Sequence, residues 1–374
     1  MRFFLIHPPP RSAQTRASAR ASIGIHCRSC GKILRCFQRE IKMSSVRFGI
    51  MGLGRGRGAA KQMAAAEGSA LVCVCDLQED KAVEQAEMYG CDWTTNYKAM
   101  FARDDIDAIG IYTSSGTHCD YAIEAIEAGK HAFVTKPMDI LVEKCDAAIQ
   151  AAKDAGKVLA VDFGNRYSKA NQQLKAAIDQ GIIGQIFLGD VKMKWWREQS
   201  YYNGGFPMGW RSRKETEGGS IANQGVHFVD LICWLLGPVK EVYGRSATMT
   251  HDIETEDITI AQLTFQSGAW GLITTTTSSY PNLGTQVEIS GTEGTVRWDQ
   301  RGGIEVMTKD EELVDLSRFE VPDAPADIAE DMVSAITKGT IPVVSGEEGR
   351  KSVELFCAAY ASSKSGSPVV IDQR

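Results

Sequence analysis

The 374-residue chain has no apolar run of about 18 residues or more, the length a membrane-spanning helix requires. It also lacks a G-x-S-x-G elbow, a P-loop and a metal-ligand helix, which excludes the chemistries those motifs carry. Histidine is scarce, at six residues, and no catalytic metal is expected. Positive charge is not in excess: the formal net charge is -6, giving no reason to expect nucleic acid as a partner. Ordinary globular proportions, 43% hydrophobic and 24% charged residues, argue against a disordered protein as a whole, with disorder left open for residues 1–43. The length points to two domains.

The net charge conceals an asymmetry. Residues 1–43 hold nine Lys or Arg against Glu40 alone, a net of +8, so the remainder carries -14. This basic head contains Pro8, Pro9 and Pro10 and an Arg/Ser/Ala stretch, and no period in it continues into the body. Two readings stay open: a transit peptide, or an upstream stretch read ahead of a true start at Met43. His26, Cys27, Cys30 and Cys36 suggest zinc only weakly, because no second pair follows at a finger spacing. The other seven cysteines are scattered, mostly in apolar runs, and read as reduced, buried thiols of a cytoplasmic protein.

From Ser44 strands and helices alternate. Strands are expected over 46–51, 70–75, 106–112, 131–134 and 158–161. Helices are expected over 57–66, 79–89, 118–128 and 142–155. Such alternation means a parallel sheet covered by helices, a doubly wound α/β domain over 44–165. After residue 237 the pattern changes to β-rich runs at 242–249, 258–265, 269–278, 285–290 and 295–298, with helices at 328–338 and 346–362. Residues 166–374 therefore read as a second, α+β domain.

The first strand leads into Gly52-Leu53-Gly54-Arg55-Gly56-Arg57-Gly58, where a dinucleotide fingerprint belongs. Glycine lets the backbone turn tightly and approach a pyrophosphate, and the helix N-terminus meets its charge. The match is imperfect. Counted from Gly52, Arg57 stands in the third glycine place; counted from Gly54, the motif ends on Ala59. Arg55 and Arg57 could add phosphate contacts. Asp76 closes the second strand, where an acid binds the adenosine ribose hydroxyls. A carboxylate there favours NAD and repels the extra phosphate of NADP, although the two arginines leave NADP as an alternative.

Several blocks together name a family. They are Thr113-Ser114-Ser115-Gly116-Thr117-His118, then Thr135-Lys136-Pro137, then Asn165-Arg166-Tyr167. Later come Trp196-Arg197, Tyr201-Tyr202, Trp210-Arg211 and the stretch from Gly218 to Asp230 containing Asn223-Gln224-Gly225-Val226-His227. From Ser44 onward the chain resembles the glucose-fructose oxidoreductase, inositol dehydrogenase and rhizopine-catabolism (Gfo/Idh/MocA) family. The resemblance implies a nicotinamide dehydrogenase whose second domain is an open-faced mixed β-sheet, used for substrate binding and often for oligomer contacts. A homo-oligomer, dimer or tetramer, is then expected. The sequence departs from the family pattern at three places. Thr135 replaces the Glu of E-K-P, Ser114-Ser115 replace the Pro-Asn of T-P-N, and Asn223 stands where an acid is usual. The resemblance assigns Thr113, Ser115 and His118 to the cofactor side.

Oxidising a secondary alcohol needs a base for the hydroxyl proton and a donor for the developing alkoxide. Lys136, at a strand's C-terminal end, fits both demands, since a partly buried lysine can have a lowered pKa. A single helix over 221–236 would put Asn223, His227 and Asp230 on one face, with His227 as proton acceptor and Asn223 or Asp230 supporting it. Arg166, Tyr167, Trp196, Arg197, Tyr202, Trp210 and Arg211 are candidates for a substrate rim. Aromatic faces cover sugar C–H surfaces and guanidinium groups donate to hydroxyls or anions. The expected substrate is a small molecule of the sugar or polyol class. Two other readings stand beside it: a dehydrogenase of non-sugar diols or carbonyls, and a non-catalytic dinucleotide-binding sensor.

Overall fold

The computed structural model describes residues 45–371. The basic head and its Cys/His group lie outside the described residues.

The N-terminal part is a six-stranded parallel sheet in the order β3-β2-β1-β4-β5-β6. Its elements run β1 (Val46–Met51), α1 (Gly56–Ala65), β2 (Ser69–Cys75), α2 (Glu79–Tyr89), β3 (Asp92–Thr94), α3 (Tyr97–Phe101), β4 (Ala108–Ile111), α4 (His118–Glu127), β5 (His131–Thr135), α5 (Val142–Ala155) and β6 (Leu159–Asp162). Helices cover both faces, so the central strands are apolar throughout; all four residues of β4 are buried. The order reverses between β1 and β4, which opens a crevice at the strands' C-terminal ends.

The C-terminal part begins with α6 (Gly164–Tyr167) and α7 (Lys169–Asp179), then β7 (Ile186–Lys194), α8 (Gln199–Asn203) and α9 (Val226–Leu236). The strands β8 (Val239–Ala247), β9 (Ile258–Phe265), β10 (Trp270–Thr276), β11 (Gly284–Gly291), β12 (Gly294–Asp299) and β13 (Gly303–Thr308) follow, then α10 (Ile328–Lys338), α11 (Gly346–Ser365) and β14 (Val369–Val370). The eight strands form one mixed sheet, β13-β12-β11-β7-β10-β9-β8-β14, in which only β7 and β10 pair in parallel. Burial alternates along β9 and β10. One face carries Ala261, Leu263 and Ile273 into the core beneath α9 and α11. The opposite face leaves Tyr243, Ile260, Trp270 and Leu272 exposed.

The expected elements are present within a few residues of their ends, and β3, α3, α6, α7, β7, α8, β13 and β14 join them. β7 was hard to read because its core-facing residues include Gly189 beside Val191 and Met193, while Asp190, Lys192 and Lys194 fall on the open face. Two further findings differ from expectation. First, α10 packs on α1, β1 and β2, placing Ile328, Ala329 and Met332 in one cluster with Phe48, Ile50 and Leu71. The chain thus returns to its first sheet near its end. Second, the helix expected over 221–236 opens with a π turn, Ser220–Gly225, before α9 begins. The buried Glu256 holds that opening turn. Its carboxylate accepts from the Ile221 N–H at 2.9 Å, the Ser220 hydroxyl at 2.6 Å and the Tyr360 hydroxyl at 3.1 Å.

Candidate active site

A cavity of about 550 Å³ lies at the C-terminal ends of β1, β2, β4 and β5, closed by segments of the C-terminal part. Its size is ordinary for a cofactor or substrate site. At one end stand Gly52, Gly54, Arg55 and Asp76. Gly52 has φ +86, and a Cβ there would lie 2.4 Å from the Tyr112 carbonyl oxygen, so the turn requires glycine. Gly54 faces open space, which leaves its backbone approachable. Gly56 is buried, where a Cβ would meet Tyr112 and Ile50, so it serves helix-to-sheet packing and does not line the cavity. Arg57 is exposed and is not among the lining residues.

The Asp76 carboxylate accepts from Leu53 N–H at 2.7 Å and from Gln78 N–H at 2.9 Å. Each oxygen keeps acceptor capacity for a ligand hydroxyl. The α1 N-terminus carries no acid in its first turn. Glycine turn, helix terminus and carboxylate therefore suit a dinucleotide's pyrophosphate and ribose.

Thr113, Ser115 and His118 line the next stretch. The buried His118 ring spans two backbone carbonyls: Nδ1 is 2.8 Å from Pro137 O and Nε2 is 3.1 Å from Thr113 O. Burial pushes its pKa down to about 4, so it is a neutral imidazole donating to one of them. It ties the turn after β4 to the residues around Lys136.

Lys136 lines the cavity and is buried. Its Nζ donates to the Asn223 carbonyl oxygen at 2.6 Å. Burial, helped by the Arg55 charge, lowers its pKa to about 8. The π turn is what brings Asn223 there. The Asn223 side chain accepts from Gln224 Nε2, which also donates to the Tyr201 hydroxyl, both at 2.8 Å. Arg197 donates to Gln224 Oε1 at 3.2 Å. Gln224 and Tyr201 both line the cavity and were not singled out by sequence.

The three-residue face of Asn223, His227 and Asp230 does not form, because the π turn intervenes. His227 is not among the lining residues; its ring packs edge-on against Phe163 and Phe228. Burial and the nearby Lys136 and Arg55 charges push its pKa well down, so it is neutral. Asp230 does not support it. Asp230 instead pairs with Arg166 through two bonds of 2.8 and 2.9 Å, with Glu348 at 3.4 Å and the Trp234 ring beside the guanidinium. Arg166 is thereby corrected from substrate contact to buried ion pair. Tyr202 is corrected too: its hydroxyl meets Thr277 Oγ1 at 2.7 Å in the interior, and its neighbour Tyr201 faces the cavity. The place on the rim expected for Tyr202 is taken by Tyr201.

Trp210 and Arg211 line the outer wall. The Arg211 guanidinium lies over the rings of Trp210 and Tyr201. Glu217, buried and unforeseen by any motif, completes the wall near Ser115 and Lys136.

Two family models match. Residues 46–163 match the description "Oxidoreductase family, NAD-binding Rossmann fold", and residues 171–297 match "GFO/IDH/MocA C-terminal domain". The chain belongs to the Gfo/Idh/MocA oxidoreductase family. Its relatives include inositol 2-dehydrogenase of Rhizobium meliloti, 29% identical over 331 residues, spanning 85% of this chain and 97% of that protein. Myo-inositol 2-dehydrogenase of Thermotoga maritima is 25% identical over 341 residues, 88% and 99% of the two chains. Among solved structures, the WlbA dehydrogenase of Bordetella pertussis, in complex with NADH and UDP-GlcNAcA, is 32% identical with a TM-score of 0.80. That match covers 88% of this chain and 98% of that one. The matched NAD-binding Rossmann segment includes the Gly52–Asp76 end of the cavity.

Proposed function

We propose that this member is an NAD-dependent dehydrogenase oxidising a secondary alcohol of a sugar, polyol or sugar derivative. One observation carries the reading: Lys136, an amine held near neutrality by burial, lines the same cavity as the nucleotide turn. A sensor has no use for such a group. The named relatives act on inositols and a nucleotide-linked sugar acid, which is the substrate class adopted here.

When bound, NAD supplies the hydride acceptor. Gly52, Gly54, Arg55 and Asp76 hold its phosphate and ribose groups, with Thr113, Ser115 and His118 on the nicotinamide side. Asp76 favours NAD over NADP by repelling the added phosphate. The neutral Lys136 amine takes the hydroxyl proton, and the ammonium so formed stabilises the developing alkoxide oxygen. The Asn223 carbonyl fixes the direction of Nζ. His227, neutral and packed behind the cavity wall, is not placed to take that proton. Trp210 and Tyr201 cover the sugar's C–H faces, and Arg211 binds hydroxyls or an anionic substituent.

Residues 44–165 serve the nucleotide and 166–374 the substrate in this reading. The exposed Tyr243, Ile260, Trp270 and Leu272 on one sheet face fit a homo-oligomer contact. Seven unpaired cysteines among the described residues fit a reducing cytoplasm. A substrate panel of sugars, polyols and sugar acids, followed by reduced-nicotinamide absorbance with NAD and NADP in parallel, tests the proposal. Turnover of at least one sugar or polyol with NAD is expected. Tight NAD binding with no turnover across the panel would favour a sensor.

A further inference from the structure

Glu217 lines the cavity at 2% exposure and has no part in the mechanism above. It belongs to the C-terminal part, yet its segment is seated on the nucleotide part. The Thr216 carbonyl accepts from the Gly116 N–H at 3.1 Å, and a Cβ on Gly116 would stand 2.6 Å from the Glu215 carbonyl oxygen. Glycine at 116 thus lets the two backbones meet. The Glu217 carboxylate accepts from the Gly218 N–H at 3.1 Å and from the Ser115 hydroxyl. A glutamine oxygen could accept both bonds without a buried charge, so neither bond explains an acid there.

What an acid adds is charge. The positive groups acting on Glu217 are Lys136 and Arg211, both on the cavity wall. We infer that Glu217 is a counter-charge to Lys136 on the same cavity wall, a positioning residue for the proton transfer. Its catalytic consequence rests on the dehydrogenase reading; the coupling to Lys136 does not.

The surrounding groups support this pairing. Lys136 is acted on by Arg55 from the β1–α1 turn, by Asp162 at the end of β6 and by Glu217. Arg55 and burial lower its pKa, while Glu217 and Asp162 raise it. The nearby imidazoles of His118 and His227 are both neutral. On its other side Glu217 faces Arg211 and the Tyr201 hydroxyl. Burial raises the Glu217 pKa to about 7. As a carboxylate, Glu217 favours the ammonium that has just received the substrate proton. Once protonated, it releases that hold.

Competitive acetylation of the full chain with acetic anhydride, across a pH series and read on the Lys136 peptide by mass spectrometry, tests the inference without turnover. In Glu217→Gln the labelling midpoint of Lys136 should fall by about one pH unit, the shift expected on losing an opposite charge nearby. Glu217→Asp keeps the charge and should stay near wild type. The acid limb of kcat/KM for alcohol oxidation should move to lower pH with the labelling midpoint. An unchanged midpoint in Glu217→Gln overturns the inference, whatever the activity. A shifted midpoint in a chain that oxidises nothing would instead sink the dehydrogenase reading alone. Should Glu217→Gln not fold, Lys136→Met in a chain carrying carboxyl-labelled glutamate serves. Isotope-edited infrared should then show Glu217 titrating at higher pH than in wild type, and no change overturns the inference equally.

Discussion

Lys136 Nζ and the backbone carbonyl oxygen of Asn223 lie 2.6 Å apart, joining the end of the parallel sheet to the π turn of the C-terminal part. The Lys136 amine is therefore aimed by main chain, which no side-chain substitution at position 223 removes. Asn223→Ala should retain the Lys136 bond but lose the contact to Gln224. A modest rise in KM with little change in kcat is expected, checked by steady-state kinetics.

Replacing the amine itself should cost far more. Lys136→Met is expected to lower kcat by about 10²–10⁴-fold, the usual contribution of a positioned acid–base group. NAD affinity, read by fluorescence titration, should remain within a few-fold. Near-normal turnover would remove Lys136 from the mechanism.

Asp76 makes the opposite prediction. Its carboxylate has spare acceptors facing the nucleotide end. Asp76→Ser should weaken NAD binding by about 10- to 100-fold, the value of charged hydrogen bonds, and narrow the preference over NADP. Parallel Kd measurements with both nucleotides decide it.

Arg166 should matter for stability and not for substrate. Arg166→Met leaves Asp230 charged and unpaired in the interior, which costs about 3–5 kcal/mol in comparable buried pairs. Urea unfolding measures it. Adding Asp230→Leu should recover much of the loss. A selective rise in KM with unchanged stability would return Arg166 to the substrate rim.

Glu256 gives a pH signature. Burial raises its pKa from 4.5 to about 7 in the folded state. The unfolded chain then ionises first, so folded stability is full below about 4.5 and falls as pH rises towards 7. Glu256→Gln removes that titration while keeping an oxygen for the Ile221 N–H. Its stability curve should be flatter than wild type between those two pH values, by urea midpoint at each pH. Parallel curves would show that the carboxyl does not carry the dependence.

Much of the fold was legible because its signals are local. Alternating apolar strands and helices gave the parallel sheet, and glycines with Asp76 gave the nucleotide end. Lys136, Asn223, Trp210 and Arg211 also reached the cavity as expected. What escaped depends on three-dimensional partners. Arg166 looks like a ligand-binding arginine until Asp230 and Glu348 are seen around it. The π turn follows from a carboxylate 35 residues downstream of Ile221, which no helical period announces. Tyr201 and Tyr202 differ only in which side of α8 they occupy. Glu217 stood in no motif and became visible through burial beside Ser115.

The docking of α10 on β1 and β2 has a temporal side. Ile328, Ala329 and Met332 are the last contributors to the cluster around Phe48 and Ile50. The edge beyond β6 is likewise met late, where Val161 N–H donates to the Val344 carbonyl at 2.9 Å. A ribosome emits the nucleotide-binding strands first but completes their covering only after nearly the whole chain has emerged. A nascent chain stopped after β6 would leave Phe48 and Ile50 without their partners on α10, so the core of the first sheet is finished only by a segment that follows the second sheet.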